Sequence, residues 1–254
     1  MQKLTRIKAG LIHFCLSLSI FTVIFFILLT LWYPEPYFTA SGGWQGLKIV
    51  AGIDVVLGPL LTLVIFNPSK SARELSIDLA IIACFQTAAL IWGIFTVYQQ
   101  RPVAVVFWED SFMTVAAVDL NRFNYPIERL QQFSEAKPPL IYAEKPTTIE
   151  GLKQLLAKIR DTKIAPHHQT DLYRPLVEHF AEIASQQLPI DKALEHTPTL
   201  RPQLDKLLSE SKHTVYELQY YLLKAKYHDI ILAFTPAGEL VGHLTPPQKS
   251  LPVD

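Results

Sequence analysis

The sequence predicts an α+β protein with a membrane part: three transmembrane helices followed by a soluble domain on a mostly antiparallel sheet. Three observations lead there. Residues 11–98 are poor in charge and contain three apolar runs, each about long enough to span a bilayer core. Residues 99–254 hold most of the Lys, Arg, Asp and Glu. In that second part, β-branched and aromatic runs at both ends enclose stretches of helical period. The domain boundary is therefore expected between 1–98 and 99–254.

The first apolar run covers residues 11–33 and exceeds the ~20 residues that span a hydrocarbon core. Trp32 and Tyr33 close it as an interfacial aromatic belt would, and Pro34 and Pro36 stop it. A cleaved signal peptide has an apolar core of roughly 7–15 residues with small residues before the cut. This run is longer, and bulky Phe38 stands where a small residue is required, so a retained anchor is expected. The second run, 47–66, ends at Asn67-Pro68. Gly58-Pro59 falls in its middle and predicts a kink, because proline lacks a backbone donor and crowds the preceding turn. The third run, 77–98, again ends in aromatic residues.

Basic residues set the orientation. Lys3, Arg6 and Lys8 precede the first helix, and Lys70 and Arg73 lie between the second and third. The 34–46 loop has no Lys or Arg, while Lys48 and Arg101 weigh weakly the other way. The positive-inside rule places the N-terminus and the 67–76 loop in the cytoplasm, and residues 99–254 outside it.

Asp54 lies within the second run, where a carboxylate costs roughly 2.5–3.5 kcal/mol on insertion scales and needs a partner or a proton. At ~1.5 Å per residue it lies ~18 Å from the cytoplasmic end, Gln86 ~14 Å, and Ser19 and Thr22 ~12–17 Å. All three helices thus bring a polar group to one level. This predicts a hydrogen-bonded polar layer that locks the bundle, or a docking point for a polar group on another membrane helix. Gly52-Ile53-Asp54 faintly resembles the GxGD signature of intramembrane aspartyl proteases. That chemistry needs two carboxylates close enough to share a proton. The other candidate, Asp78, is ~15 Å shallower, and the second glycine is missing.

In the soluble half, 102–108 and 112–118 read as strands joined by a hairpin at Glu109-Asp110-Ser111. A short helix is expected around 127–135 and a short strand at 140–143. Residues 148–160 form an amphipathic helix, with Ile149, Leu152, Leu155, Leu156 and Ile159 at helical spacing and Thr147 or Thr148 as cap. A second helix is predicted over 171–187, with Pro175 in its first turn, and a third over 200–209. Strands return at 220–225, 230–235 and 240–244. The Pro-rich final ten residues are expected to fray.

No phosphate-binding, dinucleotide, zinc-protease or nucleophile-elbow motif is present. Cys15 and Cys84 lie in apolar runs, which leaves the soluble half without a disulfide framework. The pair His167-His168 reads as a solvated loop, since adjacent side chains point apart. Glu178-His179 with Glu182 reads as a polar helix face. Tyr216, Tyr220, Tyr221 and Tyr227 beside Lys224 and Lys226 suit sheet packing better than base stacking. The formal net charge is zero, which gives no field to recruit nucleic acid. No catalytic residue, metal or cofactor is expected, and the lipid bilayer is a partner.

The stretch from Gly52 to Phe107 resembles the TfpX/TfpZ family of type IV pilin accessory proteins. The resemblance rests on Gly52, Asp54, Leu57-Gly58-Pro59-Leu60-Leu61-Thr62, Phe66-Asn67-Pro68 with Lys70, Asp78-Leu79, Gln86, Ala89-Leu90, Gly93 and Arg101-Pro102-Val103. Gly238-Glu239 followed by Val241-Gly242 adds to it. The resemblance implies a bacterial inner-membrane protein with a periplasmic domain. It would work beside type IV pilin or the pilus assembly proteins and influence assembly or pilus dynamics without a known reaction. Pilins wait in the membrane as a single helix with a periplasmic head, so a three-helix partner with a periplasmic domain has the shape to touch both. A membrane-anchored periplasmic enzyme and a signalling adaptor acting through the 67–76 loop are the competing readings.

Overall fold

A computed structural model describes residues 5–247. Lys3 and most of the Pro-rich tail, on which two of the expectations above rest, lie outside the described residues. The chain divides into two compact units. One takes the residues up to Pro34 together with Gly42–Gln99, and the other takes Glu35–Ser41 with Gln100 onward.

The first unit is a bundle of three helices, α1 (Arg6–Trp32), α2 (Gly43–Ile65) and α3 (Ala72–Gln99), each long and apolar enough to cross a membrane. Their exposed side chains include Leu16, Val23, Phe26, Val64, Phe85 and Trp92. Water disfavours such a surface and hydrocarbon accepts it. Several inward-facing positions are small or polar, among larger apolar ones such as Leu28, Leu47 and Ile82. Gly10, Ser17 and Ile24 on α1 repeat every seven residues, the spacing that keeps one seam facing a neighbouring helix. At Gly10 a Cβ would already touch Leu63 and the Pro59 carbonyl of α2, at 3.6 and 3.7 Å. At Gly46 it would stand 2.8 Å from Val97 of α3. Small residues let helices approach closely where no hydrophobic force drives them together. The aromatic end of α1 packs on α3: the buried Tyr33 hydroxyl donates to the Val97 carbonyl at 2.8 Å, and the rings of Trp32 and Tyr98 meet at 4.8 Å.

The second unit is a seven-stranded sheet in the order β4-β3-β1-β2-β5-β6-β7. The strands are β1 (Pro102–Trp108), β2 (Ser111–Ala116), β3 (Leu140–Ala143), β4 (Tyr173–Pro175), β5 (Gln219–Lys224), β6 (Ile230–Phe234) and β7 (Leu240–Leu244). The sheet is mixed and not mostly antiparallel, because β1 pairs parallel with β3 and β2 parallel with β5. Apolar patterning is alike for both pairings. What sets them apart is the route of the long segments after β2 and after β4, which carry the chain across the sheet instead of turning it back.

One sheet face packs Val105, Phe107, Phe112, Tyr221, Leu223, Leu232 and Phe234 against Leu176, Phe180 and Ile183. Tyr37 and Ala40 join the same cluster. The link between α1 and α2, expected as a plain loop, thus carries a short helix, Tyr37–Ser41, that completes the core of the sheet unit. Residues 35–41 thus belong to the same compact unit as the sheet. The opposite face carries two separate clusters. Over β1–β3 lie Val106, Val115 and Ile141 with Leu155 of α4 (Ile149–Thr162). Over β5–β7 lie Tyr220, Leu222, Ile231 and Ala233 with α5 (Ile190–His196) and α6 (Arg201–Ser211). Thr148 caps α4, its hydroxyl accepting the Gly151 N–H at 3.1 Å.

Three elements depart from expectation. The second strand stops at Ala116, and Ala117–Asn121 turns helical because the Asp119 carboxylate accepts the Ala116 N–H at 3.2 Å. The predicted 171–187 helix is broken. Pro175 biases the residue before it toward extended backbone, so Tyr173–Pro175 pairs with β3 as an edge strand. Only Leu176–His179 is α-helical, and Phe180–Gln186 tightens into 3₁₀ turns. Leu176, Phe180 and Ile183 of its apolar stripe are nonetheless buried together, whereas Leu172 is only part-buried and packs in a different cluster. Helix α5 follows Pro189 without a side-chain cap and is too short for its period to stand out.

Candidate functional site

The polar layer of the bundle starts from a backbone irregularity. Residues Ala51–Leu57 wind as π-helix, and the Gly58 N–H reaches the Ile53 carbonyl five residues back. In that register the Asp54 carbonyl would pair with residue 59, which is proline and has no N–H. A donor from α3 fills the gap: Gln86 Nε2 donates to the Asp54 carbonyl at 3.2 Å and also to Asp54 Oδ1. The Ser17 hydroxyl of α1 donates to the same Oδ1 at 3.3 Å. Gly58 makes this possible, because a Cβ there would lie 2.3 Å from Gln86 Nε2 and 2.4 Å from Oε1. The pair Gly58-Pro59 thus marks a change from π to α winding that frees one carbonyl and opens space for one side chain.

Each helix contributes one group to this layer, and the group from α1 is Ser17. The two residues expected there, Ser19 and Thr22, are exposed on α1 and donate to their own helix, at Cys15 and Leu18 carbonyls. A uniform rise per residue gives depth and not direction, and Ser17 is the hydroxyl that continues the buried Gly10–Ile24 seam. Asp54 is 2% exposed and faces inward. Its Oδ2 and Gln86 Oε1 are buried without a hydrogen-bond partner. Gln86, unlike Asp54, also lines a groove of about 340 Å³ between α2 and α3, walled by Ile53, Leu57, Leu61, Phe85 and Ala89. One turn further along, His13 Nδ1 of α1 meets the buried Thr62 hydroxyl of α2, a contact that no sequence pattern signals. Asp78 sits at the start of α3, ion-paired with Lys70, and takes no part in the layer.

The sheet unit holds a crevice of about 650 Å³. Here His167 and His168 sit, half-buried and not in a solvated loop. A 3₁₀ turn brings their rings within 4.1 Å, and the buried Tyr173 hydroxyl pins the turn by donating to the His167 carbonyl at 2.6 Å. His168 Nε2 lies 3.6 Å from Asp119 Oδ2. Burial, reinforced by His168, pushes the His167 imidazole down to about 4 against the opposing pull of Asp119. Burial likewise pushes His168 down, with Asp119 opposing. Both rings are therefore neutral at neutral pH. Ser41 also lines the crevice, and its hydroxyl is buried with no hydrogen-bond partner.

The remaining candidates stay structural. His179 Nδ1 and Glu182 Oε1 meet at 2.8 Å on an exposed face, where the His179 ring stacks on Tyr142. Tyr220 and Tyr221 are sheet core and Tyr216 is exposed. Among the described residues, no group of three or more His, Cys, Asp or Glu side chains is placed to hold a metal ion.

Residues 2–42 match the family described as "Fimbrial assembly protein FimB". That segment contains α1 and the short helix that enters the sheet core. Similar curated proteins come from Dichelobacter nodosus. "Fimbrial assembly protein, serogroups C1 and C2" is 39% identical over 113 residues, covering 44% of this chain and 86% of that protein. "Fimbrial assembly protein, serogroup I" is 38% identical over 113 residues, but only 44% of its length is matched. "Fimbrial assembly protein, serogroup E1" is 30% identical over 214 residues, covering 74% of this chain and 79% of that protein. No solved structure matches.

Proposed function

The chain belongs to the family of fimbrial assembly proteins, and on that ground we propose that it is an accessory protein of type IV pilus biogenesis, of the TfpX/TfpZ kind. The observation that carries this reading is the similarity to the serogroup E1 protein, which covers 74% of this chain. The protein resides in a bacterial inner membrane with its N-terminus in the cytoplasm and residues 99–254 in the periplasm. The Lys and Arg distribution around α1–α3 supports that orientation. It assists or modulates assembly by binding pilin or the assembly machinery, and it catalyses no reaction.

Within the bundle, the α2–α3 groove receives a membrane helix of the pilin or of the assembly machinery. Gln86 is the polar contact at its surface, held in place from behind by Asp54 and Ser17. Deleting the protein tests the reading. Fimbriae should change in number while the mass of the fimbrial subunit stays the same. A changed subunit mass would overturn it in favour of a membrane-anchored enzyme.

A further inference from the structure

A second cavity of the sheet unit, about 560 Å³ in volume, has a floor and a rim of different chemistry. The floor is the end of the sheet core: Tyr37, Leu140 and Leu176 are buried and belong to the cluster that fills one sheet face. The exposed Val177 and Leu240 extend this apolar surface outward. The rim carries Glu35, Glu135 and Glu239 against one cation, Lys137. Mostly apolar walls with a few polar groups, at a volume of some hundreds of Å³, are what small-ligand sites have in common.

Local backbone fixes where the rim charges stand. Glu239 closes the β6–β7 turn, in which the Thr235 N–H donates to the Glu239 carbonyl at 2.9 Å and the Glu239 N–H to the Thr235 hydroxyl at 3.2 Å. Glu135 lies in a turn held by the Ala136 N–H, which donates to the Ser134 hydroxyl at 3.2 Å. Glu35 stands two residues before Tyr37, where the short helix enters the core. Among the described residues, none of the four rim charges forms an ion pair. Burial raises the Glu35 carboxyl above the usual carboxylate value, with no neighbouring cation to oppose it. The histidine crevice differs, because there Lys224 is paired with Asp110 and Asp119 faces His168.

Tyr37 points to a guest independently of the charges. It is 3% exposed and packed into the core, yet its hydroxyl has no hydrogen-bond partner among the described residues. Nor is that hydroxyl sealed from solvent, as the Tyr220 hydroxyl is. The core holds the ring and leaves its polar tip to the cavity that the residue lines. A buried tyrosine normally finds a partner for its hydroxyl; here the fold supplies none. Three carboxylates against one ammonium leave two negative charges unbalanced, which selects a cation. A bare metal ion fits poorly, because no three acidic or histidine side chains among the described residues are placed to share one. The apolar floor calls for an aliphatic stem, and the free hydroxyl for a head group with an N–H to donate. We propose that this cavity binds an alkylammonium or alkylguanidinium group, with its charge among Glu35, Glu135 and Glu239, an N–H on the Tyr37 hydroxyl and its stem over Leu140 and Leu176. A free amine and a lysine or arginine side chain of another protein share that chemistry. The site does not depend on the fimbrial reading.

The test titrates the full chain, in uncharged maltoside micelles at fixed ionic strength, with agmatine and follows the heat. Saturable binding is expected. Glu35→Gln, Glu135→Gln and Glu239→Gln should each weaken it about two- to fivefold, the range of an exposed ion pair, and the triple variant about tenfold or more. Tyr37→Phe, which removes no hydrogen bond of the fold, should weaken agmatine severalfold at an unchanged melting temperature. Should that variant melt earlier, the Gln variants decide alone, since all three positions are exposed. Agmatine that fails to saturate, or binds the triple variant as well as the unaltered chain, would overturn the proposal. So would magnesium that displaces agmatine as effectively as butylamine does, or pentanol that binds as tightly as butylamine. N-acetyl-lysinamide separates the two sources: binding as tight as that of butylamine supports the site as a receptor for a basic side chain, and weaker binding supports it as a site for a free amine.

Discussion

Gly58→Ala probes the polar layer through a residue that makes no polar contact of its own. The added methyl would occupy the place of the Gln86 amide, with 2.6 Å even to its Cδ, so the amide must leave. Its two bonds to Asp54 then go. Interhelical hydrogen bonds in membranes average roughly 0.6 kcal/mol and reach about 1.7 kcal/mol, which sets the loss at about 1–3 kcal/mol. Alanine returns roughly 0.5–1 kcal/mol through its better helix propensity. The net cost is about 0–2.5 kcal/mol, read as a shift in unfolding in mixed detergent and dodecyl sulfate micelles. The double-mutant cycle isolates the cause. With Gln86→Ala already present there is no amide to displace, so Gly58→Ala should become neutral or stabilising by about 0.5–1 kcal/mol. An equal cost in both backgrounds would refute the reasoning.

Three further outcomes follow from the same geometry. Tyr33→Phe should destabilise the bundle by about 1 kcal/mol, since it leaves the Val97 carbonyl without the buried hydroxyl; an unchanged unfolding midpoint would contradict this. Gly238 has φ +84, and a Cβ at this position would lie 2.9 Å from the Phe180 ring, so Gly238→Ala should cost at least ~1–2 kcal/mol from backbone conformation alone, visible as a lower melting temperature of the sheet unit. Between pH 6.5 and about 4, the unfolded chain binds a proton at His167 that the folded chain refuses. The stability due to this neutral ring is therefore intact above pH 6.5 and falls as pH drops toward 4. His167→Gln should flatten that part of the stability curve, and an unaltered slope would exclude the burial described for this ring.

Much of the fold was legible where a signal was local. Strands β1, β3 and β7 fall where β-branched and aromatic runs placed them, and α4 begins at its Thr148 cap. Partner choice between strands was not local. No residue near Phe112 announces that its neighbour is Leu223 and not a following strand, and the mixed sheet was missed for that reason. The short helix at Tyr37–Ser41 was hidden because its partners lie from Val105 to Phe234, far along the chain. Asp54 and Gln86 were legible as costly polar residues in apolar helices, yet their exact partners depended on the azimuth of Ser17 and on the carbonyl freed by Pro59. Adjacency alone makes the His167-His168 pair look like a solvated loop; the Tyr173 anchor that folds it into the crevice becomes visible only when β4 is known.

Whether the chain handles the fimbrial subunit inside the membrane is decided by recovering it, tagged, from detergent-solubilised membranes after photo-crosslinking from Phe85 or Ala89 in the α2–α3 groove. The expected result is a crosslink to the membrane helix of the subunit or of an assembly protein, weakened by Gln86→Leu. A groove that crosslinks to neither, in cells that assemble fimbriae, would contradict it.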